Sequence, residues 1–205
     1  MHNSVSVYPF TFVFVDLETT GLHEVVKGKS GCESHAILEV GLHVTDPDLN
    51  IIDGDGLHLI LQASETDLLN MTDWSRKQHQ ASGLLDKVKQ SDIDLKLADR
   101  LIVEHMERYS AGPYDAKSMT GSVLAGNNIA LDKAFINAKL PAFDRYLHFC
   151  LADFSTLNLF CREWAPHISD KVRKKYNHRA LDDVKESISE ARLYKRTIFD
   201  RCPYA

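Results

Sequence analysis

TFVFVDLE, residues 11–18, is an apolar run that ends in two acidic residues. Its aromatic and β-branched residues predict a buried β-strand. Residues two apart in a strand point to the same face, so Asp16 and Glu18 are expected to project together. Open α/β sheets place their sites at the carboxyl ends of strands. Because two neighbouring carboxylates repel each other, the pair predicts a bound divalent cation.

The pattern outward from this strand predicts an α/β domain with a mixed sheet. Further strands are expected at 36–45, 56–61 and 123–125. Helices are expected, in chain order, over 64–70, 72–81, 83–91, 95–109, 130–139, 155–164 and from about 179 to 194 or beyond. The apolar spacing of a single buried face is clearest in 95–109. Residues 23–34 and 111–121 are expected to be loops. Strands first, then helices, then an alternation of both is typical of a mixed-sheet domain.

Composition and charge narrow the possible partners. The chain has 205 residues, of which 44% are hydrophobic and 26% charged, which suits a single domain over residues 1–205 with a core at about 11–197. The net charge is −5. Proteins that wrap long nucleic acids carry a basic footprint. Any nucleic-acid substrate is therefore expected to be short, and to be held by metal ions and a small pocket.

The spacing of the cysteines and the composition of the N-terminal residues predict a reducing cellular compartment. Cys32, Cys150, Cys161 and Cys202 form no C-x-x-C pair, which argues against zinc knuckles and thioredoxin-like motifs. Scattered cysteines fit a reducing compartment. The N-terminal residues lack the basic and apolar regions of a signal peptide, and no apolar run is long enough to span a bilayer. We expect a soluble cytoplasmic protein without membrane partners.

Two further places along the chain carry candidate site residues. Asp132 follows a Gly-Asn-Asn turn in the first turn of a predicted helix, near the same sheet edge as Asp16. His178 precedes the last helix, and Asp182 and Asp183 lie in its first turn. A structural alternative exists for each acid, since the helix dipole favours negative charge at an N-terminus. A solvated histidine would likewise explain His178.

Taken together, these residues occur in the order found in DEDDh-type 3′-to-5′ exonucleases, which the chain resembles. Within that superfamily it is similar to oligoribonuclease. The motifs that carry the resemblance are VDLETTGL (15–22), AGNNIALDKAF (125–135) and HRALDDVKES (178–187), and MTDWSRKQHQASGL (71–84) and ADFSTLNLFCREWAP (152–166) support the narrower family. The resemblance implies a ribonuclease-H-like fold, a mixed five-stranded sheet flanked by helices, and a homodimer.

The resemblance also implies the roles of individual residues. The implied ligands of two Mg²⁺ or Mn²⁺ ions are Asp16, Glu18, Asp132 and Asp183, with His178 as the catalytic base. The family pattern, and not spacing, selects Asp183 over Asp182. The residues expected to bind a short single-stranded RNA are Thr20, Leu22, Trp74, His79, Asn128 and Ser155. Core packing remains an alternative for Leu22 and Trp74, and a surface position remains one for His79. The implied reaction releases nucleoside 5′-monophosphates from the 3′ end.

Departures from the oligoribonuclease pattern leave substrate length and type open. Phe149 and Cys150 occupy the positions of a tyrosine and an arginine that help to cap the 5′ phosphate in that family, and Arg145 is out of register. Thr19 and Thr20 are similar to proofreading-type exonucleases. Single-stranded DNA or other small dinucleotides are therefore an alternative substrate, and a non-enzymatic nucleic-acid-binding module is a further one. The apolar segment 143–151 fits either a dimer interface or the core.

Overall fold

The computed structural model describes residues 9–22, 25, 28–173 and 179–200. Within these ranges five strands form one mixed sheet: β1 (Phe10–Thr19), β2 (Ile37–Thr45), β3 (Leu57–Ile60), β4 (Gly121–Gly126) and β5 (Leu147–Asp153). The strand order is β3-β2-β1-β4-β5, with β1 antiparallel to β2 and parallel to β4. The predicted mixed five-stranded sheet is confirmed. β4 is longer than the predicted strand at 123–125.

Helices flank this sheet. They are α1 (Gly31–Ser34), α2 (Glu65–Leu69), α3 (Asp73–Ala81), α4 (Leu84–Val88), α5 (Leu95–Tyr109), α6 (Ile129–Lys139), α7 (Pro141–Tyr146), α8 (Phe154–Trp164), α9 (Pro166–Ser169) and α10 (Ala180–Tyr194), with a π-helical segment at Lys195–Phe199. None of the helices among the described residues has the length and apolar character needed to cross a membrane.

Local capping explains where several helices begin. The Thr72 and Asp94 side chains accept hydrogen bonds from the first-turn N–H groups of α3 and α5, as expected for N-caps. The cap of α8 is Asp153, which accepts from the Ser155 N–H at 2.9 Å, so Ser155 lies inside the helix and is not its cap. The predicted loop at 23–34 is also corrected at its end, because a Ser30–Glu33 capping box begins the short helix α1.

The core lies on both faces of β1. Val13 and Val15 pack with Ile102 of α5 and Phe135 of α6 on one face. Phe14 packs on the other face with the apolar side of α10. Alternate residues of a strand point to opposite faces, so a strand buried on both sides reads as a continuous apolar run. This burial holds the acidic end of β1 in a fixed position.

The apolar segment 143–151 divides between core and surface. Phe143 and Tyr146 of α7 and Leu147 of β5 are buried. Phe149 and Leu151 are exposed, at 62% and 37% of their surfaces. Because β5 is an edge strand, its outer residues have no neighbouring strand to cover them.

A buried carboxylate joins β2 to α5 away from the acidic end of β1. Asp53 Oδ1 lies 2.9 Å from His43 Nδ1, and Asp53 Oδ2 accepts from the Val44 N–H and lies 2.9 Å from His105 Nε2. Burial acts to raise the pKa of Asp53, but the hydrogen bonds from His105, His43 and Val44 outweigh it and hold the pKa below its ordinary value. Asp53 therefore stabilises the fold in its ionised form.

We expect Asp53→Ala to lower the free energy of unfolding by about 3 kcal/mol, because it leaves the buried His43 and the half-buried His105 without their acceptor. The matched control is Asp55→Ala, two residues along at an exposed position, with a change within about 0.5 kcal/mol. Urea denaturation of both variants at neutral pH measures the difference. The wild-type contribution is present above the ordinary pKa of an aspartate and is lost as the pH falls through the lower folded value. Equal midpoints for both variants would contradict the assignment.

Candidate active site

The end of β1 brings the first two candidate ligands to the edge of the sheet. Pairing of β1 with β4 stops at Phe14 and Ala125, whereas pairing with β2 continues to Glu18 and Glu39. After Phe14, the edge of β1 that pairs with β4 therefore has no further strand partner among the described residues. Asp16 and Glu18 lie on this extension, and both side chains are partly exposed.

The start of α10 brings a third carboxylate to the same place. Gly41 of β2 lies opposite Asp16, and a Cβ at Gly41 would lie 2.4 Å from the carbonyl carbon of Ala180. The missing side chain lets the first turn of α10 pack directly against the strand. Ligand oxygens of Asp16, Glu18 and Asp183 all lie within 4.8 Å of one another. Asp182 is exposed and outside this group, so the structure brings Asp183 to the site and not Asp182.

Asp132 reaches the same cavity from the first turn of α6. Its Oδ1 accepts a hydrogen bond from the Leu17 N–H at 3.0 Å. That N–H is available because β1 has passed the end of β4. Asp132 lines the cavity beside Asp16 and Glu18, but its oxygens are not part of the close three-residue group.

The electrostatics of the site disfavour ionised carboxylates. Burial raises the pKa of Glu18 from its ordinary 4.5 to about 8, and the charge of Asp16 is the next largest cause. Burial likewise raises the pKa of Asp132 well above its ordinary value, followed by the charge of Asp16. With a pKa of about 8, Glu18 is held largely neutral near pH 7 in the protein alone. A divalent cation among them would favour the ionised forms.

The cavity at this site has a volume of about 330 Å³. Its lining combines the four candidate ligand side chains with an apolar wall that includes Leu22 and Trp74. The Trp74 side chain is 54% exposed, so core packing is the wrong interpretation for this residue. Leu22 is partly exposed and also lines the cavity. Exposed aromatic and apolar surface beside a carboxylate cluster suits the bases of a nucleotide chain.

Asn128 and Ser155 lie at the turn that follows β4. Asn128 lines the cavity in a left-handed backbone conformation, with φ of 52°. Its N–H donates to Ser155 Oγ at 3.0 Å and lies 3.2 Å from Asp153 Oδ1. Ser155 is thus connected to the cavity through Asn128.

The structure corrects the expectation for Thr20 and relocates His79. Thr20 is fully buried, and its hydroxyl accepts from the Ala36 N–H at 2.9 Å and lies 3.2 Å from His35 Nδ1. A side chain with no exposed surface has no access to substrate. The Thr20 side chain instead connects the end of β1 to the backbone of Ala36, just before β2. His79 is buried too, which rules out the surface alternative. Its Nδ1 lies 3.8 Å from Glu18 Oε2 and its Nε2 lies 2.9 Å from the Thr19 carbonyl oxygen.

His178 falls outside the described residues. The next residue, Arg179, is described: its Nη1 donates to the Ser82 carbonyl oxygen at 3.4 Å, and its Nε lies 3.9 Å from Glu39 Oε1. Glu39 is buried opposite Glu18 and lies 2.5 Å from His58 Nε2. Sequence reasoning missed Glu39, although an acidic residue inside the apolar strand 37–45 was a usable signal.

The cavity also includes polar residues that sequence reasoning did not select. These are Ser75, Asn127, Glu186 and Ser187. Asn127 belongs to the Gly-Asn-Asn turn that precedes Asp132. Glu186 and Ser187 follow Asp183 by about one helical turn, so the 3.6-residue period of α10 could have placed them on the same side.

Comparisons with known proteins agree with this geometry. The RNase T exonuclease family matches residues 13–191. The oligoribonuclease of Mycobacterium tuberculosis (strain ATCC 25177 / H37Ra) is 38% identical over 188 residues, which are 91% of this chain and 80% of that protein. The oligoribonuclease of Nocardia farcinica is 37% identical over the same shares.

Solved structures show the same fold. Escherichia coli exonuclease I, in complex with a 5cy-dT13 oligonucleotide, has a TM-score of 0.64 at 17% identity, covering 92% of this chain and 41% of that chain. Exonuclease I of Methylocaldum szegediense has a TM-score of 0.66 at 16% identity, with the same coverage. This chain thus spans about two-fifths of the length of those structures. The likeness confirms the predicted ribonuclease-H-like fold.

Proposed function

Because the chain belongs to the exonuclease family, we propose that it shortens oligoribonucleotides from the 3′ end and releases nucleoside 5′-monophosphates. It is a nuclease, a hydrolase of phosphodiester bonds. The observation that carries the proposal is the convergence of Asp16, Glu18 and Asp183 in one cavity with Leu22 and Trp74. The oligoribonucleases that it resembles over 91% of its length support RNA as the substrate.

Metal ions fit the donor set of the site. The exonuclease family depends on divalent metal ions, and we propose that two Mg²⁺ or Mn²⁺ ions are held by Asp16, Glu18, Asp132 and Asp183. Carboxylate oxygens are the ligands that such hard cations prefer. Burial, followed by the charge of Asp16, raises the pKa of Glu18, and a cation among these carboxylates would lower it. When bound, two such ions supply a water of lowered pKa and offset negative charge on the reacting phosphate and the leaving 3′ oxygen.

The chain's own residues bind and orient the substrate around this centre. In the proposal His178 takes the proton from the attacking water, since a histidine changes charge near neutral pH. Trp74 stacks on a base and Leu22 packs beside it. Asn128 contacts a phosphate as a neutral hydrogen-bonding group. Ser155, whose hydroxyl donates to Asn127 Oδ1, acts on that phosphate through Asn128. His79, in contact with Glu18, orients that carboxylate in place of binding RNA directly.

Cavity size and charge support short substrates. A volume of about 330 Å³ is at the small end of ligand sites, and it suits the terminal nucleotides of a chain. The net charge of −5 argues against tight binding along a long RNA. We therefore propose that chains of a few nucleotides are the best substrates.

We also propose that the chain is one domain over residues 1–205, that it works in the cytoplasm and that it forms a homodimer. The exposed Phe149 and Leu151 on the edge strand β5 support the dimer, because apolar edge residues favour association. Light scattering after size-exclusion chromatography should give twice the chain mass of 23.2 kDa. A monomer at micromolar concentration would contradict the dimer.

The activity is tested on a ladder of 5′-labelled RNAs from two to seven nucleotides, with Mn²⁺, with Mg²⁺ and with excess chelator. We expect stepwise loss of 3′ nucleotides with either metal and none with chelator. The rates along the ladder report the length preference that Phe149 and Cys150 leave open. No release of mononucleotide under any condition would refute the proposal.

A matched DNA ladder separates the alternatives. The DNA-directed alternative is not favoured, since the curated relatives are oligoribonucleases. We expect RNA to be cleaved faster than DNA of equal length. A protein that binds the RNA ladder but cleaves none of it would support the non-enzymatic alternative.

Trp74→Ala is expected to raise the KM for short RNA by about tenfold to a hundredfold, since base stacking on an aromatic ring contributes about 1–3 kcal/mol. The matched control is Trp164→Ala, because Trp164 is also exposed but lies on α8 outside the cavity lining. Steady-state kinetics on a diribonucleotide measure both variants. Equal KM values for the two variants would show that Trp74 does not contact the base.

A further inference from the structure

A buried carboxylate outside the metal cluster is connected to the wall of the cavity. Glu190 of α10 is only 5% exposed. Its Oε1 accepts from the Tyr194 hydroxyl at 2.7 Å and from Asn158 Nδ2 at 3.1 Å. Its Oε2 accepts from Asn127 Nδ2 at 3.1 Å. A buried charge is costly unless it is well hydrogen-bonded, so these donors hold Glu190 in one position.

Asn127 connects Glu190 to the turn after β4 by further hydrogen bonds. Its Nδ2 also donates to Ser187 Oγ at 2.9 Å, and its Oδ1 accepts from Ser155 Oγ at 3.2 Å. Ser155 Oγ in turn accepts from the Asn128 N–H. Because an ionised carboxylate only accepts, Glu190 fixes which end of the Asn127 amide faces it. The opposite end then fixes the Ser155 hydroxyl.

The result of this chain of contacts is a defined position for Asn128. Its backbone is left-handed, with φ of 52° and ψ of 33°, a conformation that asparagine adopts more readily than other residues with a Cβ. Its N–H is used by Asp153 and Ser155. Among the described residues no hydrogen bond engages its side-chain amide, which lies at the cavity wall.

We propose that Glu190 is a positioning residue: through Asn127 and Ser155 it holds Asn128 where its amide binds the phosphate on the 5′ side of the penultimate nucleotide. This inference rests on the proposed function. The carboxylate cluster with its cations takes the scissile phosphate, so a neutral donor on the same wall is suited to the next phosphate of the chain. Glu190 then affects oligonucleotide binding without affecting the metal centre.

Two substrates separate these effects. A 5′-phosphorylated diribonucleotide carries the upstream phosphate, whereas thymidine 5′-(p-nitrophenyl phosphate) carries only a terminal nucleotide and a scissile ester. For Glu190→Met, which keeps side-chain length but removes both acceptors, we expect the KM for the dinucleotide to rise about tenfold, as for loss of one charge-assisted hydrogen bond. Hydrolysis of the nitrophenyl ester and the Mn²⁺ half-saturation point should not change.

Four further variants make the result specific. Asn127→Leu removes the other partner of the same hydrogen bond, so it should also raise the KM for the dinucleotide and leave hydrolysis of the nitrophenyl ester unchanged. The double variant should raise that KM no further than either single variant does. Glu190→Gln keeps one acceptor and should recover part of the affinity. Tyr194→Phe removes one of the donors that hold Glu190 but leaves Oε2 bonded to Asn127, so it should lower thermal stability and raise the KM less than Glu190→Met does.

The outcomes decide the inference. An unchanged KM for the dinucleotide in both Glu190→Met and Asn127→Leu overturns the inference. An equal loss of activity on both substrates, or a shift in the Mn²⁺ half-saturation point, also overturns it, because either result would indicate a purely structural role. If only one variant folds, the same criteria apply to that one. A wild-type protein inactive on both substrates overturns the proposed function itself, and this inference with it.

Discussion

Asp183→Asn is expected to slow RNA cleavage by about 10³-fold, while Asp182→Asn leaves it within about twofold. The two residues are neighbours on α10, but only Asp183 lies with Asp16 and Glu18 around a common point. Removing one carboxylate from that group removes a metal ligand and the charge that holds the cation. Asp182 is exposed and contributes only a favourable charge near the helix N-terminus.

Release of mononucleotide from a labelled diribonucleotide, measured at several Mn²⁺ concentrations, gives both rate and apparent metal affinity. Circular dichroism and thermal unfolding of both variants control for folding. We expect Asp183→Asn to remain folded, and its chelator-treated form to be at least as stable as the wild type, because carboxylate repulsion is reduced. Loss of activity in Asp182→Asn with full activity in Asp183→Asn would overturn the arrangement of the site.

The stability of the chelator-treated protein should fall as the pH rises. The folded state holds Glu18 at a pKa of about 8, whereas the unfolded chain has the ordinary 4.5. Below about pH 4.5 both states are protonated and Glu18 makes no difference. Between the two values the folded state binds more protons than the unfolded state, so stability decreases with pH, by up to about 5 kcal/mol, and levels off above pH 8.

Glu18→Gln tests the source of that slope. The amide does not ionise, so the fall in unfolding free energy between pH 5 and pH 9 should be much smaller than in the wild type. Part of the slope remains, because the pKa of Asp132 is also raised. Adding Mn²⁺ should stabilise the wild type more at pH 8 than at pH 5, since metal binding competes with protons. Identical slopes in wild type and variant, measured by urea denaturation with chelator, would exclude Glu18 as the cause.

The sequence is sufficient to predict those strands and helices that are determined by residues close together in the chain. The apolar run before Asp16 and Glu18 reads as a strand buried on both faces, and β1 is that strand. The periodicity of 95–109 predicts α5, with its observed bounds Leu95–Tyr109. Thr72 predicts the start of α3. These features depend on residues within a few positions of each other, so the chain itself displays them.

Other features depend on contacts between distant segments. Local pattern does not distinguish Asp182 from Asp183, because both suit a helix N-terminus, and the choice depends on how α10 meets Gly41 of β2. Thr20 was expected at the substrate, yet it faces Ala36 and His35 inside the fold.

The amino-acid sequence by itself determined the acidic end of β1, the mixed α/β architecture and the resemblance to 3′-to-5′ exonucleases. The resemblance already implied Asp183, whereas the tertiary structure brings its carboxylate beside Asp16 and Glu18 and, with no signal in the sequence, connects Glu190 to Asn127. The physical reason is the separation of the interacting residues along the sequence. Strand burial and helix caps depend on neighbouring residues. The distances among carboxylates and the direction of a buried amide are set by packing of elements more than fifty residues apart, such as Asn127 and Glu190 with a separation of 63.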